Sequence, residues 1–479
     1  MRRRDFIKTG AVAAAATLAR KTVAGPRTRP NIIYVFTDQQ HARMMSCAGN
    51  PHLKTPAMDY LAANGIRFER AYAGNPVCVP SRISMTTGHL PGEFGARENG
   101  SGLRTRKFPK EVLANTLGRL MARAGYELAY GGKVHLPAPL HPRNNGFKIL
   151  TGDQRDGLAA ACAEFIKRKH TRPFFLVASF INPHDICYMA ITDHRTKGRF
   201  SAEAFAAGAV EAATGKKPPW VAKAIVELRK ALRKPEGVSE DEFFAKLAPP
   251  LPPNHLPQED EPEAIRWLIS IRPFRKWARE NYTERQWRLH RWAYCRLTER
   301  VDGQLQVILD ALKASGLERD TVVIFSSDHG DNDSAHKLEH KTVFYEESAC
   351  IPLVIMHKGT TPGGRVDRDH LVSNGLDLLP TICDYAGIDP PAGLRGRSLR
   401  PLAEGREVAE WREHLAVEDE IGRMVLTRRY KYMLFDRGAS REQLLDLELD
   451  PGETRNFAGQ ASHAEALARL RRYYREWFG

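Results

Sequence analysis

The sequence predicts an α/β protein with a mostly parallel central sheet flanked by helices. Short apolar runs that end in polar residues recur along the chain, as buried parallel strands do, and helix-like stretches separate them. These runs occupy residues 31–40, 126–135, 173–185 and 320–333. From about residue 405 the alternating strand and helix patterns are replaced by a hairpin pattern and a final helix, which predicts a smaller C-terminal α+β domain.

Each helical stretch has a recognisable end. Residues 55–65 form a predicted helix that stops at Gly65, residues 113–125 form one closed by Gly125, and a long helix covers about 290–315. Near the C-terminus, "RMVLTRRYKYMLFD", a polar turn and "QLLDLELDPGETRN" predict an antiparallel hairpin and an exit loop. A final helix is expected at 463–477.

Residues 190–290 differ from the rest of the chain. They are basic and helix-prone, they are interrupted by prolines, and they contain Trp220, Trp267, Trp277 and Trp287. We expect an insertion or a lid over the functional site. An extra helical layer with tryptophans in its core is the alternative, and it is favoured over sugar stacking by any given tryptophan.

The N-terminus has the pattern of an export signal. "MRRRDFIKTGAVAAAATLA" has a charged start, an Ala-rich stretch and small residues near its end, and its arginines suit a twin-arginine signal. Residues 1–25 are therefore predicted to be a signal peptide read by the twin-arginine export machinery. A basic amphipathic helix is the alternative. The mature protein is expected in a bacterial periplasm or outside the cell, with no membrane span.

The amino-acid composition limits the classes of molecule that the protein is expected to bind. The formal charge of +15 suits an anionic partner, although a basic surface without a specific partner has the same balance. No zinc-finger spacing, RNA-binding signature or basic zipper occurs, so nucleic acid is not expected. The seven cysteines form no Cys-x-x-Cys pair, and their odd number singles out one, for which Cys78 is the candidate.

Polar side chains stand where the predicted strands end. Because ligand sites in parallel sheets form beyond the carboxyl ends of the strands, these side chains are expected to meet. Cys78 stands ahead of a predicted helix start near Val79, where free N–H groups and the positive helix end favour an anion. The strand-end residues are Asp38, Lys133, His184, Asp328 and His329.

The run "CVPSRISMTTG" (78–88) is similar to the sulfatase signature. Other landmarks of that family follow its order: "TDQQ", "GGKVH", "NPHD", "SSDHGD", "HKTVFYEES" and "DLELDPGETRN". From residue 31 to about 456 the chain resembles the formylglycine-dependent sulfatases. The resemblance implies an alkaline-phosphatase-like fold, with residues 26–404 as the catalytic domain and 405–479 as a small C-terminal subdomain.

The resemblance also implies a modified nucleophile. A maturation enzyme that reads Pro80, Ser81 and Arg82 would oxidise Cys78 to formylglycine. The hydrated aldehyde supplies the attacking oxygen, and its second hydroxyl can expel sulfate, whereas a thiolate would form an adduct with no easy exit. The alternative is that Cys78 remains an unmodified core cysteine and that this protein is an inactive relative of the family.

A divalent cation, usually calcium, belongs to the same resemblance. Many relatives have Asp where this chain has Gln39, and His329 is not a carboxylate either. These two departures from an all-carboxylate ligand set leave magnesium or manganese open as the cation. The ligands implied, together with the oxygen derived from Cys78, are Asp38, Gln39, Asp328 and His329.

The remaining matched residues are cationic. Lys133, His135 and Lys341 match sulfate-binding positions, Arg82 lies near the nucleophile, and His184, with Lys341, is the expected leaving-group acid. Supporting roles are expected for Asp331, Asp333, His336 and His340. The positive net charge and the predicted export signal favour a sulfated carbohydrate as the substrate. Phosphonate monoester or phosphodiester hydrolysis, sulfamidase activity, and polyanion binding by an inactive relative are the alternatives.

Overall fold

A computed structural model of the protein describes residues 29–197 and 219–479. The predicted signal peptide and residues 198–218 of the 190–290 segment lie outside the described residues, as does the side chain of Trp220. Within the described ranges, every helix is too short or too polar to cross a membrane.

Two sheets carry most of the strands, and a separate pair, β3 and β10, joins two short segments. The strands are β1 (Asn31–Asp38), β2 (Ile66–Phe68), β3 (Ala71–Tyr72), β4 (Glu127–Gly132), β5 (Lys148–Thr151), β6 (Phe174–Pro183), β7 (Thr321–Ser327), β8 (Leu353–His357), β9 (Arg365–Asp367), β10 (Val372–Ser373), β11 (Leu415–Glu418), β12 (Gly422–Leu426), β13 (Tyr430–Phe435) and β14 (Glu442–Asp446).

Helices lie between the strands as the sequence predicts. Those of five residues or more are α1 (Pro56–Ala63), α2 (Cys78–Thr87), α3 (Asn99–Arg104), α4 (Lys110–Ala114), α5 (Leu117–Arg123), α6 (Leu158–Lys167), α7 (Tyr188–Lys197), α8 (Pro219–Ala231), α9 (Glu263–Ser270), α10 (Pro273–Asn281), α11 (Glu284–Ala314), α12 (Asn374–Ala386) and α13 (Ala464–Phe478). A five-residue π-helical turn, Phe243–Leu247, precedes α9.

The central sheet has eight strands in the order β5-β4-β6-β1-β7-β8-β2-β9. Its strands run parallel except β8, which is antiparallel to both β7 and β2. The mostly parallel sheet predicted from the sequence is therefore confirmed, with one reversed strand. β1 lies between β6 and β7, so the ends of these three strands are adjacent.

The central sheet is buried on both faces because its strands are apolar on both sides. Along β1, Ile32 and Phe36 join a core that includes residues of α5 and α12. The alternate residues Ile33 and Val35 join a second core, built with α1, α6 and α11. This double burial explains the continuous apolar runs in the sequence.

The C-terminal residues form the smaller α+β domain that the sequence predicts. Strands β11 to β14 pair antiparallel in chain order, and β13 with β14, on either side of the polar turn, is the predicted hairpin. Helix α13 packs on one face, through Leu467 and Leu470 against Tyr432. The other face packs against α9 and residues 343–350, which connects this domain to the active-site loop described below.

The described part of the 190–290 segment forms a helical layer. Trp287 is 1% exposed and packs with Phe274 and Tyr282, while Trp277 is partly buried beside them. Trp267 contacts a different cluster, around α9. Trp287 therefore belongs to a core, as the alternative interpretation of this segment predicts.

Candidate active site

The carboxyl ends of four neighbouring strands bring the predicted residues together. Asp38 ends β1, Lys133 follows β4, His184 follows β6, and Asp328 follows β7. Since β4, β6, β1 and β7 are adjacent and parallel, these four positions share one edge of the sheet. All except His184 are less than a tenth exposed, and the His184 imidazole nitrogen Nδ1 is buried.

Cys78 is the first residue of α2, so the predicted helix start is confirmed. Its side chain is 1% exposed. The expectation of free N–H groups here is wrong for Val79, whose N–H donates to Asn99 Oδ1 at 3.0 Å. Pro80 has no N–H to offer. The attraction for an anion at this point must therefore come mainly from side chains.

Polar side chains converge on the Cys78 sulfur. Sγ lies 3.1 Å from Lys341 Nζ, 3.2 Å from His329 Nε2 and 3.7 Å from Asp38 Oδ1. His135 and His184 line the same cavity as Cys78. Burial raises the pKa of the thiol, but the Lys341 and Lys133 ammonium groups outweigh burial and hold that pKa well below its usual range.

Arg82 balances two buried carboxylates from the next turn of α2. Its Nη2 donates to Asp38 Oδ2 and its Nε to Asp328 Oδ2, each at 2.8 Å. Nη1 donates to the Lys133 carbonyl at 2.9 Å and to Ser179 Oγ at 3.0 Å. The guanidinium therefore fixes the ends of β1, β4, β6 and β7 relative to one another.

One carboxylate oxygen of Asp38 remains directed at Cys78. Asp38 Oδ2 accepts from Lys133 Nζ at 2.5 Å as well as from Arg82, which leaves Oδ1 facing the thiol. Burial, reinforced by the charge of Asp38, raises the pKa of Asp328 to about 6. Ligand atoms of four residues lie within 4.8 Å of one another, namely those of Asp38, Cys78, Asp328 and His329.

The ring of His329 has the orientation of a metal ligand. Its Nδ1 lies 2.8 Å from the Gly330 carbonyl, which can only accept, so Nδ1 carries the proton. In the neutral ring Nε2 is then the lone-pair nitrogen, and it faces Cys78 at 3.2 Å. Histidine ligands in metal sites are oriented by the same kind of second hydrogen bond.

Gln39 lies beside this cluster, with its side chain engaged by other residues. Its Oε1 accepts from Lys341 Nζ at 2.7 Å and from Cys187 Sγ at 3.1 Å, and its Nε2 donates to Asp331 Oδ2 at 2.5 Å. Its role as a metal ligand stays a prediction. Gln39 also connects the cluster to the lysine that contacts the thiol.

Lys341 belongs to a loop whose backbone is unusual. Asp333, Ser334, His336, Lys337, His340 and Thr342 all have positive φ. The loop is closed by Asn332, whose backbone N and side-chain Nδ2 donate to the His340 carbonyl at 2.7 and 2.8 Å. Arg275 Nη1 donates to the Lys341 carbonyl at 2.9 Å. These contacts hold Lys341 against Cys78.

The C-terminal domain fixes the far end of the same loop through a buried ion triad. Lys431 on β13 is 0% exposed, and its Nζ lies 2.7 Å from Glu346 Oε1 and 2.7 Å from Glu453 Oε1. It also donates to the Phe344 carbonyl at 2.9 Å. Glu453 Oε2 accepts from the Glu346 N–H at 2.6 Å. Glu453 belongs to the "DPGETRN" landmark, whose role the sequence left undefined.

His184 is held by its neighbour along the chain. Asp185 makes a buried two-point ion pair with Arg155, at 2.8 and 2.5 Å. Burial, with the Lys341 and Lys133 charges, lowers the pKa of His184 to about 4, so its imidazole is neutral at pH 7. Lys341 keeps its proton because the nearby thiolate and carboxylates outweigh burial and raise its pKa.

The sulfur of Cys78 opens onto a cavity of about 820 Å³. This volume lies within the usual range for small-molecule sites, about 300–1,000 Å³. Lys133, His135, His184 and Lys341 line the inner wall. Residues of the 190–290 segment line the outer wall, namely Ile191, Thr192, Val221, Ile225, Arg272 and Arg275.

The four residues with expected supporting roles lie around this centre. Asp331 accepts from Gln39, and Asp333 is paired with Arg291 at 3.1 Å. His336 stacks on Tyr345 with ring centroids 3.7 Å apart, and His340 lines the cavity. Sequence patterns missed Arg155, Asp185, Cys187, Arg275 and Lys431, because only the fold brings them to the site.

The family models identify the class of this protein. The Sulfatase model matches residues 30–388, most of the chain, and the chain belongs to that family. The model for the C-terminal region of N-sulphoglucosamine sulphohydrolase matches residues 334–477. The second match begins before Lys341 and includes the whole C-terminal sheet.

Named relatives agree with this class. A Delta 4,5-hexuronate-2-O-sulfatase of Bacteroides thetaiotaomicron is 27% identical over 94% of this chain and 88% of its own. An N-acetylglucosamine-6-O-sulfatase of the same organism is 25% identical over 95% of this chain and 88% of its own.

Solved structures agree on the fold. A 2-O GAG sulfatase is 25% identical, with a TM-score of 0.77, and the match covers 94% of this chain and 92% of that one. A phosphonate monoester hydrolase of Agrobacterium radiobacter, 20% identical with a TM-score of 0.67 over 94% of this chain and 95% of its own, is similar in fold alone. The protein is thus a sulfuric ester hydrolase of alkaline-phosphatase-like fold.

Proposed function

We propose that the protein hydrolyses a sulfate ester on a sulfated carbohydrate, with Cys78 converted to formylglycine. The convergence of Lys341, His329 and Asp38 on the Cys78 sulfur, at the inner end of a large cavity, carries the proposal. The names of its relatives refer to sulfated sugars and hexuronates. Phosphonate or phosphodiester hydrolysis remains the nearest alternative, because a hydrolase of that type shares the fold.

The surroundings of Cys78 suit a hydrated aldehyde. A diol at this position supplies a nucleophilic oxygen and a second hydroxyl for the release of sulfate. His135 and His184 line the cavity onto which the sulfur opens, and Lys341 Nζ lies 3.1 Å from the sulfur. These groups can orient the two hydroxyls and accept or return their protons.

The donor set also fits a divalent cation. His329 Nε2 lies 3.9 Å from Asp38 Oδ1 and 3.5 Å from Asp328 Oδ1, within the same cluster as Cys78, and Gln39 is the further proposed ligand. Two carboxylates and an amide favour calcium, while the imidazole keeps magnesium or manganese as alternatives. When bound, the cation polarises a sulfate oxygen and lowers the pKa of the attacking hydroxyl.

The chain's own cations would bind the sulfate group. Lys133 and Lys341 line the cavity beside Cys78 and can neutralise charge on the sulfate oxygens, where it increases in the transition state. Protonated Lys341 and neutral His184 can both donate to the bridging oxygen. A bound sulfate between them raises the pKa of His184, which favours its proposed role as acid.

Export and maturation belong to the same proposal. A formylglycine-generating enzyme must act on the chain before it folds, because Cys78 is 1% exposed in the folded protein. The twin-arginine pattern at residues 1–25 then directs the folded, modified enzyme to the periplasm or beyond.

Matched substrates test the proposal. Protein co-produced with a maturation enzyme should release sulfate from at least one member of a sulfated mono- and disaccharide panel. Its kcat/KM should be higher for a sulfate ester than for the matched phosphate and phosphonate esters. Cys78→Ala should abolish turnover, whereas Cys47→Ala, at a partly buried cysteine, should not. A preference for the phosphonate ester would support the alternative.

A further inference from the structure

A second concentration of charge lies at the opposite end of the central sheet. The run "KRKHTR" (167–172) connects α6 to β6, next to the start of β1. Asn31 Oδ1 accepts from the Phe174 N–H at 3.1 Å, which ties this loop to the amino end of β1. Asp38 ends the same strand seven residues on, about 23 Å away at the rise of a β-strand.

This loop borders a concavity of about 760 Å³, here called the basic concavity. Five of its lining residues are lysines or arginines, and Asp320 is the one carboxylate among the described residues that line it. The basic residues are Arg29, Lys167, Arg168, Lys169 and Arg172. The concavity is separate from the catalytic cavity, because the two have no lining residue in common within residues 29–197 and 219–479.

Most of this charge is exposed and uncompensated. Glu127 pairs with Arg168 at 2.5 Å and with His170 at 2.9 Å. Lys167, Lys169 and Arg172 are exposed and have no ion-pair partner among the described residues. Long side chains that project freely can follow an irregular row of anionic groups.

We propose that the basic concavity binds a sulfated polysaccharide chain away from the catalytic centre, and so retains polymeric substrate at the enzyme. The proposal rests on the proposed function, because the polymer is of the class that the active site would cleave. A single exposed ion pair contributes little, so this surface needs a ligand that offers several anionic groups at once.

Two other polyanions fit the surface less well. Proteins that bind single-stranded nucleic acid combine cations with aromatic stacking platforms, and none of the described residues that line the basic concavity is Phe, Tyr or Trp. Binding to an anionic membrane by a helix face needs large apolar side chains beside the cations. The described lining residues include one such side chain, Leu317, which is half-buried.

Binding is measured with the inactive Cys78→Ala protein and heparin as the polysulfated probe. The triple variant Lys167→Glu/Lys169→Glu/Arg172→Glu should bind about ten-fold more weakly near physiological salt, with a flatter salt dependence. The control is Lys246→Glu/Lys276→Glu/Arg472→Glu, which makes the same charge change at three scattered exposed positions. It should lose no more than about two-fold.

Kinetics separate this proposal from the proposed function. In the active enzyme, the triple variant should lower kcat/KM for a sulfated polymer and leave kcat/KM for a small sulfated sugar unchanged. Equal losses in both triple variants would reduce the effect to net charge and overturn the proposal. Tighter, variant-sensitive binding of a nucleic acid of equal charge would also overturn it. Heparin binding without sulfatase activity would defeat only the proposed function.

Discussion

The two ends of the central sheet contain the same types of cationic side chain in opposite surroundings. At the carboxyl ends, Arg82 and Lys133 are buried and paired with Asp38. At the amino ends, Lys167 and Lys169 are exposed, without a partner among the described residues. Burial makes the first group dependent on its partners, because an uncompensated buried charge is costly, while water screens the second.

This contrast predicts how substitutions behave. Removing one member of the buried set should affect stability and catalysis together, and its effects should not add, because the members share partners. Removing one exposed cation should change polymer binding slightly and independently of the others. The following predictions, from the largest expected effect to the smallest, test the first half of this contrast.

Arg82→Leu should have the largest effect. It leaves Asp38 and Asp328 without their shared guanidinium, so the free energy of unfolding should fall by about 3–5 kcal/mol and turnover should be lost. Urea unfolding and sulfate release measure the two losses. Arg106→Leu, at an exposed arginine, should stay within about 0.5 kcal/mol of wild type. An Arg82 variant of normal stability would contradict the view that this charge set is a unit.

Lys341→Ala should lower kcat/KM about 10²- to 10³-fold, the usual cost of removing one fixed donor to transition-state charge. Steady-state kinetics on a small sulfated sugar provide the measurement. Lys337→Ala is the matched control, because Lys337 lies in the same loop and is partly exposed. If both variants lost the same activity, the loop as a whole would matter and not the Lys341 ammonium.

Lys431→Met should lower kcat by about ten-fold or more, because the buried triad fixes the loop that carries Lys341. It should also destabilise the protein, since the Glu346 carboxylate loses its buried cation and Glu453 and the Phe344 carbonyl lose a hydrogen-bond donor. Arg429→Met, at a more exposed ion pair on the same hairpin, is the control for stability. The double variant Lys431→Met/Glu453→Gln should regain stability but not kcat. Recovery of both would argue against a positioning role.

Glu453 should make a smaller, pH-dependent contribution. Burial, with Glu346 nearby, raises its pKa from 4.5 to about 8 despite Lys431. Between these values the folded state holds the proton that the unfolded chain has lost, so the contribution of Glu453 to stability falls as pH rises from 5 to 8. Denaturation at several pH values should therefore show wild type losing stability relative to Glu453→Gln. If the stability of wild type relative to Glu453→Gln stayed constant or rose over this pH range, that result would contradict the raised pKa of Glu453.

Sequence patterns were enough to predict the main features of the fold and the edge of the sheet where the site lies. Apolar runs identified β1, β6 and β7, and their polar ends identified Asp38, His184 and Asp328. These features are local, because burial on both faces makes a strand continuously apolar. The reversal of β8 was not predicted, since strand direction depends on the path of the chain and not on side-chain pattern.

Partners distant in the chain could not be predicted. Gln39 contacts Lys341 and Arg82 contacts Asp328, and each of these contacts joins residues more than 240 positions apart in the chain. Local patterns carry no record of such pairs. The occupation of the Val79 N–H by Asn99 was missed for the same reason, although Asn99 is only 20 residues away.

The central claim is that Cys78 is converted to formylglycine, and the dependence of activity on the converted fraction tests it most directly. Preparations with different amounts of maturation enzyme would contain different fractions of converted Cys78, read from a mass decrease of about 18 Da in its peptide. The rate of sulfate release per molecule should be proportional to that fraction and should extrapolate to zero at no conversion. Turnover in fully unconverted protein would contradict the account.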